Sequence, residues 1–287
     1  MRVSNWKDYE LIDASAGERL ERWGKVILIR PDPQILWDTP KKDPLWEQAD
    51  ARYRRSSTGG GKWQVLRHVP PVWSIRYGEL KFRLKTMGFK HTGIFPEQAV
   101  NWDLVTGLIH RANRPIRVLN LFGYTGAATL ACLRAGAQVC HVDASKGMVA
   151  WAKENAAESG LSDRPVRWLV DDCQKFVRRE HRRGNTYDGI IMDPPSYGRG
   201  PGGEVWKLEE QIYTLVEECV PILSHHPLFF LLNSYTAGLS PAVMEYLLGV
   251  LVGRHFGGKL SSGEIGLPVT RSGLILPCGG TAVWQAE

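Results

Sequence analysis

Arg117-Val118-Leu119-Asn120-Leu121-Phe122-Gly123-Tyr124-Thr125-Gly126-Ala127-Ala128-Thr129-Leu130-Ala131-Cys132-Leu133-Arg134-Ala135-Gly136 is the stretch on which the fold turns. Residues 117–122 are mostly apolar and read as a buried strand. Residues 123–126 form a glycine turn. The run 127–135 is rich in Ala and Leu, the best helix formers, and Gly136 stops it. Moving outward, the alternation continues. Strands are expected at 139–142, 166–170, 187–192 and 227–232. Helices are expected at 145–159, 173–183, 206–222 and 241–252, and two β-like segments follow at 258–266 and 274–284. Strands alternating with helices of this length predict an α/β fold, a Rossmann-like doubly wound, mostly parallel sheet spanning 91–287.

Residues 1–90 differ in texture and read as a small basic α+β domain. Strands are expected at 9–12, 25–30, 62–67, 73–75 and 79–85, the last from its basic/apolar alternation. Asp43-Pro44 opens a short helix, with Arg52, Arg54 and Arg55 crowding its end, and 56–61 is a flexible Ser/Gly loop. Residues 1–115 carry 20 Lys and Arg against 13 Asp and Glu, the remainder 16 against 17, so the whole positive excess lies in the first part. That placement fits a phosphate-rich partner such as RNA, or simply a mildly basic soluble domain. Six of the eleven tryptophans (Trp6, Trp23, Trp37, Trp46, Trp63, Trp73) lie there. They are expected mainly as core, with stacking on single-stranded RNA as the other use.

No apolar run is long enough to cross a membrane, and no apolar segment follows the basic start, so no membrane partner is expected. Cys132, Cys140, Cys173, Cys219 and Cys278 form no CxxC pair and no cluster with His. They read as free thiols in a reducing, cytoplasmic setting, with no metal site.

Four signals fall at successive strand ends. Gly123 and Gly126 allow a sharp turn and close approach to a ligand. The spacing is not GxGxxG, which favours a nucleoside with an amino-acid tail over a pyrophosphate; an ordinary β–α turn is the bland alternative. Asp143 stands 20 residues after Gly123, at the end of the next strand, where a carboxylate accepts both hydroxyls of a ribose. Ser145 is the natural cap of the following helix. In Asp171-Asp172-Cys173, one acid caps a helix while the other, favoured as Asp172, meets an adenine amino group. In Asp193-Pro194-Pro195-Ser196-Tyr197, two prolines stiffen the chain after a buried strand and hold Asp193 at the carboxyl edge, beside the aromatic Tyr197. The glycine-rich stretch 198–207 follows, either a lid whose Arg199 and Lys207 meet phosphates while Trp206 stacks on a base, or a plain connector.

Taken in order, LFGYTG, VDAS, DDC and DPPSY resemble the class I S-adenosylmethionine-dependent methyltransferases. Within them, the chain is most similar to the bacterial large-subunit rRNA methyltransferase group that holds cytosine-C5 and guanine-N7 enzymes. Gly93-Ile94-Phe95-Pro96-Glu97-Gln98 matches a segment that touches the cofactor in that group, and the small basic domain matches one carried ahead of the core. The resemblance implies S-adenosylmethionine as cofactor and RNA, an rRNA base, as acceptor. It implies that Phe95, Gln98, Asn120, Phe122, Gly123, Tyr124, Thr125, Gly126, Asp143, Asp172 and Asp193 line the donor site, with Ala144, Ser145 and Cys173 on the same edges. Asp193, Pro194, Pro195 and Tyr197 become the catalytic candidates. Some members carry an additional N-terminal RNA-binding PUA domain, for which this sequence has no room. It also has no cysteine in Leu232-Asn233-Ser234-Tyr235-Thr236, where the cytosine-C5 enzymes carry a nucleophile. Cytosine C5 needs a thiolate added at the neighbouring carbon, so transfer to a nitrogen, guanine N7 in particular, is the expected chemistry. A nicotinamide-dependent oxidoreductase, a silent RNA-binding protein and a methyltransferase of protein or small molecules are the competing classes.

Overall fold

The computed structural model describes residues 3–56, 60–236 and 238–287. It divides into two compact units, one of Val3–Ala99 with Gly266–Pro277, the other built on Val100–Ile265 and Cys278–Glu287. The boundary read from the sequence, between 90 and 91, falls inside the first of these. Part of the expected 56–61 loop, residues 57–59, lies outside the described residues.

In the first unit, β1 (Tyr9–Ser15), β2 (Glu18–Trp23) and β3 (Val26–Pro31) form an antiparallel meander. The short helix α1 (Leu45–Gln48) carries the chain across to β4 (Ala51–Arg55), which runs parallel to β3, and β5 (Gly61–Val65) closes the edge. The order is β1-β2-β3-β4-β5, with β6 (Trp73–Tyr77) and β7 (Leu80–Leu84) as a separate hairpin. One face packs Ile12, Leu20 and Ile29 under Trp46 and Ala49. Within this unit Arg30 grips the fully buried Glu21 with two nitrogens at 2.6 and 2.7 Å, and the Tyr9 hydroxyl donates to the same carboxylate at 2.8 Å. These bonds and the Arg30 charge hold the Glu21 carboxyl below its usual range against the opposing effect of burial. The sequence reading missed β2 and β4.

Of the six tryptophans of this unit, two serve as core. Trp23 and Trp46 are buried. The indole N–H groups of Trp6, Trp37 and Trp46 donate to the Pro96 carbonyl, the Ala14 carbonyl and the Asp13 carboxylate at 2.9, 2.7 and 2.9 Å. A large ring with one satisfied polar tip is an efficient core-former in a small unit.

The second unit opens with α2 (Ala99–Ala112), which the sequence reading did not anticipate, and continues as alternating elements. These are β8 (Arg117–Leu121), α3 (Ala127–Arg134), β9 (Gln138–Asp143), α4 (Lys146–Glu158), β10 (Val166–Val170), α5 (Cys173–Arg182) and β11 (Gly189–Met192). A small hairpin follows, β12 (Tyr197–Arg199) and β13 (Val205–Lys207). After it come α6 (Leu208–Cys219), β14 (Phe229–Ser234), α7 (Pro241–Leu248), α8 (Arg254–Phe256), β15 (Lys259–Pro268) and β16 (Ile275–Gln285). Among the described residues the main sheet runs β10-β9-β8-β11-β14-β16-β15. β10, β9, β8, β11 and β14 are parallel, and β16 joins β14 antiparallel. The winding reverses between β8 and β11, and open α/β sheets bind ligands outside the carboxyl ends at such a point. No helix among the described residues is long and apolar enough to cross a membrane.

Candidate active site

The carboxyl rim is built by register. Leu121 of β8 pairs with Val142 of β9 and with Met192 of β11, so the turn 123–126, Asp143 and Asp193 leave the sheet at one level. The ladder carries on past the strands. The Gly123 N–H donates to the Val142 carbonyl at 3.0 Å, and the Asp171 N–H to the Asp143 carbonyl at 3.0 Å.

The glycine turn is over-determined. Phe122 and Tyr124 hold left-handed backbone at φ +57° and +50°, and Gly126 at +86°. Two non-glycine residues in that region store strain of roughly 1 kcal/mol or more each. The Tyr124 N–H donates to Asp143 Oδ2 at 2.8 Å, the Gly126 N–H to the Gly123 carbonyl at 2.9 Å, and Asn155 of α4 donates to the Thr125 carbonyl at 2.9 Å. Beneath lies the fully buried His141. A Cβ at Gly123 would come within 2.4 Å of its ring. His141 Nδ1 meets Thr129 Oγ1 at 2.9 Å, and the Asn120 amide donates to the same hydroxyl at 2.9 Å. Burial pushes the imidazole down to about 3, so it stays neutral. Asn120, expected at the donor, thus spends its amide nitrogen beneath the turn, tying β8 to α3. A lone Asn in an apolar strand, followed nine residues later by a helical Thr, was the signal for this support.

Asp143 takes the Tyr124 N–H on one oxygen and the Ser145 N–H on the other, each at 2.8 Å. Each oxygen keeps a lone pair. Burial raises its carboxyl above the usual range, and the two N–H bonds partly offset this. Ala144 links the two bonded positions, and the Ser145 hydroxyl caps α4 by accepting from the Met148 N–H at 3.4 Å.

Asp172 caps α5, accepting the Lys175 N–H at 2.8 Å, while Asp171 pairs with Arg179 one turn further on. The expected division of labour between the two acids is therefore corrected: the capping residue is Asp172 itself, through Oδ1. The Cys173 side chain is 4% exposed and sits in the core, so only its backbone N–H, at the start of α5, is placed for a ligand.

Asp193 follows β11 directly. Pro194 confines it to extended backbone. Pro194 is buried and Pro195 exposed. Three ties fix what comes next. The Trp206 indole donates to the Pro195 carbonyl at 2.7 Å, the Leu208 N–H to the Ser196 carbonyl at 3.0 Å, and the Ser196 and Thr236 hydroxyls meet at 2.5 Å. Tyr197 is 55% exposed. Trp206, expected to offer its ring to a base, does not. It is 8% exposed, lies 5.1 Å from the Phe122 ring and belongs to β13, with the helix starting only at Leu208. The stretch 198–207 is a hairpin rather than a structureless connector, pairing Tyr197 with Lys207 and Arg199 with Val205. Lys175 of α5 pairs with its Glu204. Lys207 reaches Glu210 at 2.9 Å, and Arg199 is exposed.

Phe95 and Gln98 belong to the other unit, Phe95 half-buried and Gln98 buried, flanking the turn Pro96–Gln98. Among the described residues no cluster of His, Cys, Asp or Glu could hold a metal ion. The second unit thus gathers a strained glycine turn, a carboxylate that keeps lone pairs on both oxygens, a helix start and a stiffened acid on one rim. This donor set fits a nucleoside joined to an amino acid.

A family model for S-adenosylmethionine-dependent methyltransferases matches residues 45–221. The crystal structure of a SAM-dependent methyltransferase from Agrobacterium tumefaciens is 37% identical and has a TM-score of 0.94, covering 100% of this chain and 94% of that one. The ribosomal RNA large subunit methyltransferase K/L of Shewanella sp. strain ANA-3 is 37% identical over 126 residues, 43% of this chain and 17% of that protein. Its counterpart in Pseudoalteromonas atlantica is 28% identical over 193 residues, 67% of this chain and 26% of that protein. The chain therefore spans about a quarter or less of the length of these curated relatives. The family match takes in more than half of the chain, and its architecture is shared along its whole length with a solved member: the protein belongs to the S-adenosylmethionine-dependent methyltransferases and uses S-adenosylmethionine as its cofactor.

Proposed function

We propose that this methyltransferase acts in the cytoplasm on RNA, at a ribosomal RNA base, and that it methylates a nitrogen such as guanine N7 rather than cytosine C5. The carrying observation is the state of the cysteines. All five are buried. Burial pushes the Cys132 thiol up to about 12 and the Cys140 thiol up to about 11, and it drives Cys173 and Cys219 well above the ordinary range. A nucleophilic cysteine needs an accessible, low-pKa thiolate, and none of these residues is placed to supply one. The kinship with ribosomal RNA methyltransferases K/L and the basic composition of the first unit support RNA as the acceptor.

In this reading Asp143 grips the ribose. The turn 123–126, Phe122 and Tyr124 shape the amino-acid end, and the Cys173 N–H with the second oxygen of Asp172 meets the adenine edge. S-adenosylmethionine supplies a methyl group already activated on a sulfonium. The chain then has to align the acceptor atom and keep water away. Asp193 accepts a hydrogen bond from the base edge or the donor's amino group, Pro194 and Pro195 keep it aimed, and Tyr197 flanks the base. Guanine N7 carries an available lone pair, so no residue has to remove a proton.

The test is nucleoside mass spectrometry of ribosomal RNA from a strain lacking the gene, compared with its parent. Loss of one methylguanosine is expected. Loss of 5-methylcytidine instead would overturn the nitrogen assignment.

The raised Asp143 carboxyl gives a second expectation. Its ionised form accepts ribose hydroxyls, whereas the protonated form presents a donor. The native state holds this proton more tightly than an unfolded chain, so the group's contribution to stability falls as pH rises through its folded pKa. Donor affinity moves the other way. It weakens on acidification, starting at a higher pH than an ordinary aspartate would give. Asp143→Asn lowers affinity at neutral pH and removes that dependence. Calorimetric titration with S-adenosylmethionine over a pH series measures both effects, and an unchanged pH profile in Asp143→Asn refutes the ribose role.

A further inference from the structure

Residues 51–91 hold ten Lys and Arg and a single acidic residue, Glu79. Part of this charge sits on the β4–β5 ribbon, at the free edge of the five-stranded sheet. The register sets Arg54 opposite Lys62, and Arg52 opposite Gln64. Alternation along each strand puts all four on one face. Like charges directly opposed across an antiparallel pair destabilise it. Arg52 finds Glu18 at 3.1 Å. Arg54 and Lys62, both exposed, have no carboxylate partner among the described residues; Arg54 turns instead to the Gln64 amide oxygen at 3.3 Å. Two opposed, unneutralised cations mark a place for an external anion.

The opposite face is aromatic. The Tyr53 and Trp63 rings stand edge-on at 5.5 Å. The Trp63 indole donates to the Phe89 carbonyl at 3.2 Å and the Tyr53 hydroxyl to the Gly88 carbonyl at 3.4 Å. These bonds hold the Phe89 backbone against the ribbon, yet its ring is 53% exposed. A phenyl ring held out by its own backbone adds little to the core and offers a π-face to solvent. Arg55, exposed on this same face, adds positive charge. Phosphate anions joined to flat rings describe single-stranded RNA. An acidic polypeptide would satisfy the cations and leave the ring unused, and a duplex hides its base faces.

We propose that the β4–β5 ribbon is a platform for single-stranded RNA that wraps its free β5 edge, with phosphates on Arg54 and Lys62 of one face and a base stacked on Phe89 against the other. The proposal rests on RNA being the acceptor class and specifies where RNA beyond the methylated nucleotide is held.

The experiment uses the full chain and a fluorescein-labelled oligouridylate of about a dozen nucleotides, a length within the range such folds bind. Anisotropy is followed across a salt series. Removing both cations (Arg54→Ala with Lys62→Ala) makes the slope of log affinity against log salt shallower by about 1.4, the value for two phosphates on a single strand. Phe89→Ala weakens binding about five- to hundredfold with the slope unchanged, and Phe89→Trp restores it. Calorimetric affinity for S-adenosylmethionine stays at the parental value in every variant, which reports an intact fold. If the parent binds and methylates RNA while these variants keep its affinity and slope, the platform is overturned and the RNA reading stands. If the parent binds no RNA, both fall. Polyglutamate competing as well as oligouridylate would also overturn the platform, because charge alone would then explain the surface.

Discussion

Exchanging Asp193 for Ala lowers turnover by about 10²–10³-fold while leaving the fold intact. The size of the effect follows from how the carboxylate is held. Pro194 limits its backbone, and the segment behind it is pinned at the Pro195 carbonyl by Trp206 and at Ser196 by Thr236. A group fixed this way acts at a defined position. Asp193→Asn separates two roles. If the residue only accepts a hydrogen bond, the amide oxygen still serves and the loss shrinks to about tenfold, the value of one charge-assisted bond. If it removed a proton, Asn would be as inactive as Ala. Single-turnover rates on transcribed rRNA fragments decide between the two, and parental turnover in Asp193→Ala would refute the assignment altogether.

Gly123→Ala is expected to harm both stability and donor binding. Its backbone is not left-handed, so the cause is contact rather than strain. The new methyl would stand 2.4 and 2.5 Å from Cε1 and Nδ1 of His141. That ring has little freedom. It is completely buried, bonded to Thr129 and packed 4.9 Å from Trp168. Overpacking of this kind costs roughly 1–3 kcal/mol, seen as a Tm lower by several degrees. If the turn shapes the donor's amino-acid end as proposed, displacing it costs the equivalent of one or two hydrogen bonds, about five- to thirtyfold in affinity. A double-mutant cycle with His141→Ala tests the cause. With the ring gone the methyl has room, so the two changes together cost less than their sum. Strict additivity would mean that Gly123 is required for some other reason.

The rim was legible in the sequence because its signals are local. Residues 117–136 carry strand, turn and helix in one uninterrupted pattern, and Asp143 and Asp193 each follow a run too apolar to be anything but a buried strand. What stayed hidden depended on partners far along the chain. Trp206 reads as an exposed aromatic in a glycine-rich loop, and only the pairing of β12 with β13 turns it inward onto Phe122 and the Pro195 carbonyl. Asp171 and Asp172 are chemically alike, so which one capped α5 was decided by chain direction at the helix start, and Arg179 then took the other. The support beneath the turn needs Asn120, Thr129 and His141 from three elements, and no one of them is remarkable alone. The β4 strand was obscured for a further reason: it is only five residues long and follows closely on the Asp43-Pro44 helix start, so its arginines read as that helix's end.

The order of the main sheet has a consequence for biosynthesis. β15 precedes β16 in the chain, yet β16 lies between β14 and β15. As the nascent polypeptide emerges, the β8–β14 parallel half can zip together, while β15 has no sheet neighbour to pair with. The outer side of β14 stays bare until the eleven residues Ile275–Gln285 arrive. Until then the chain exposes unpaired strand borders on β14 and β15, a state prone to aggregation, and a polypeptide truncated after residue 268 would be held there.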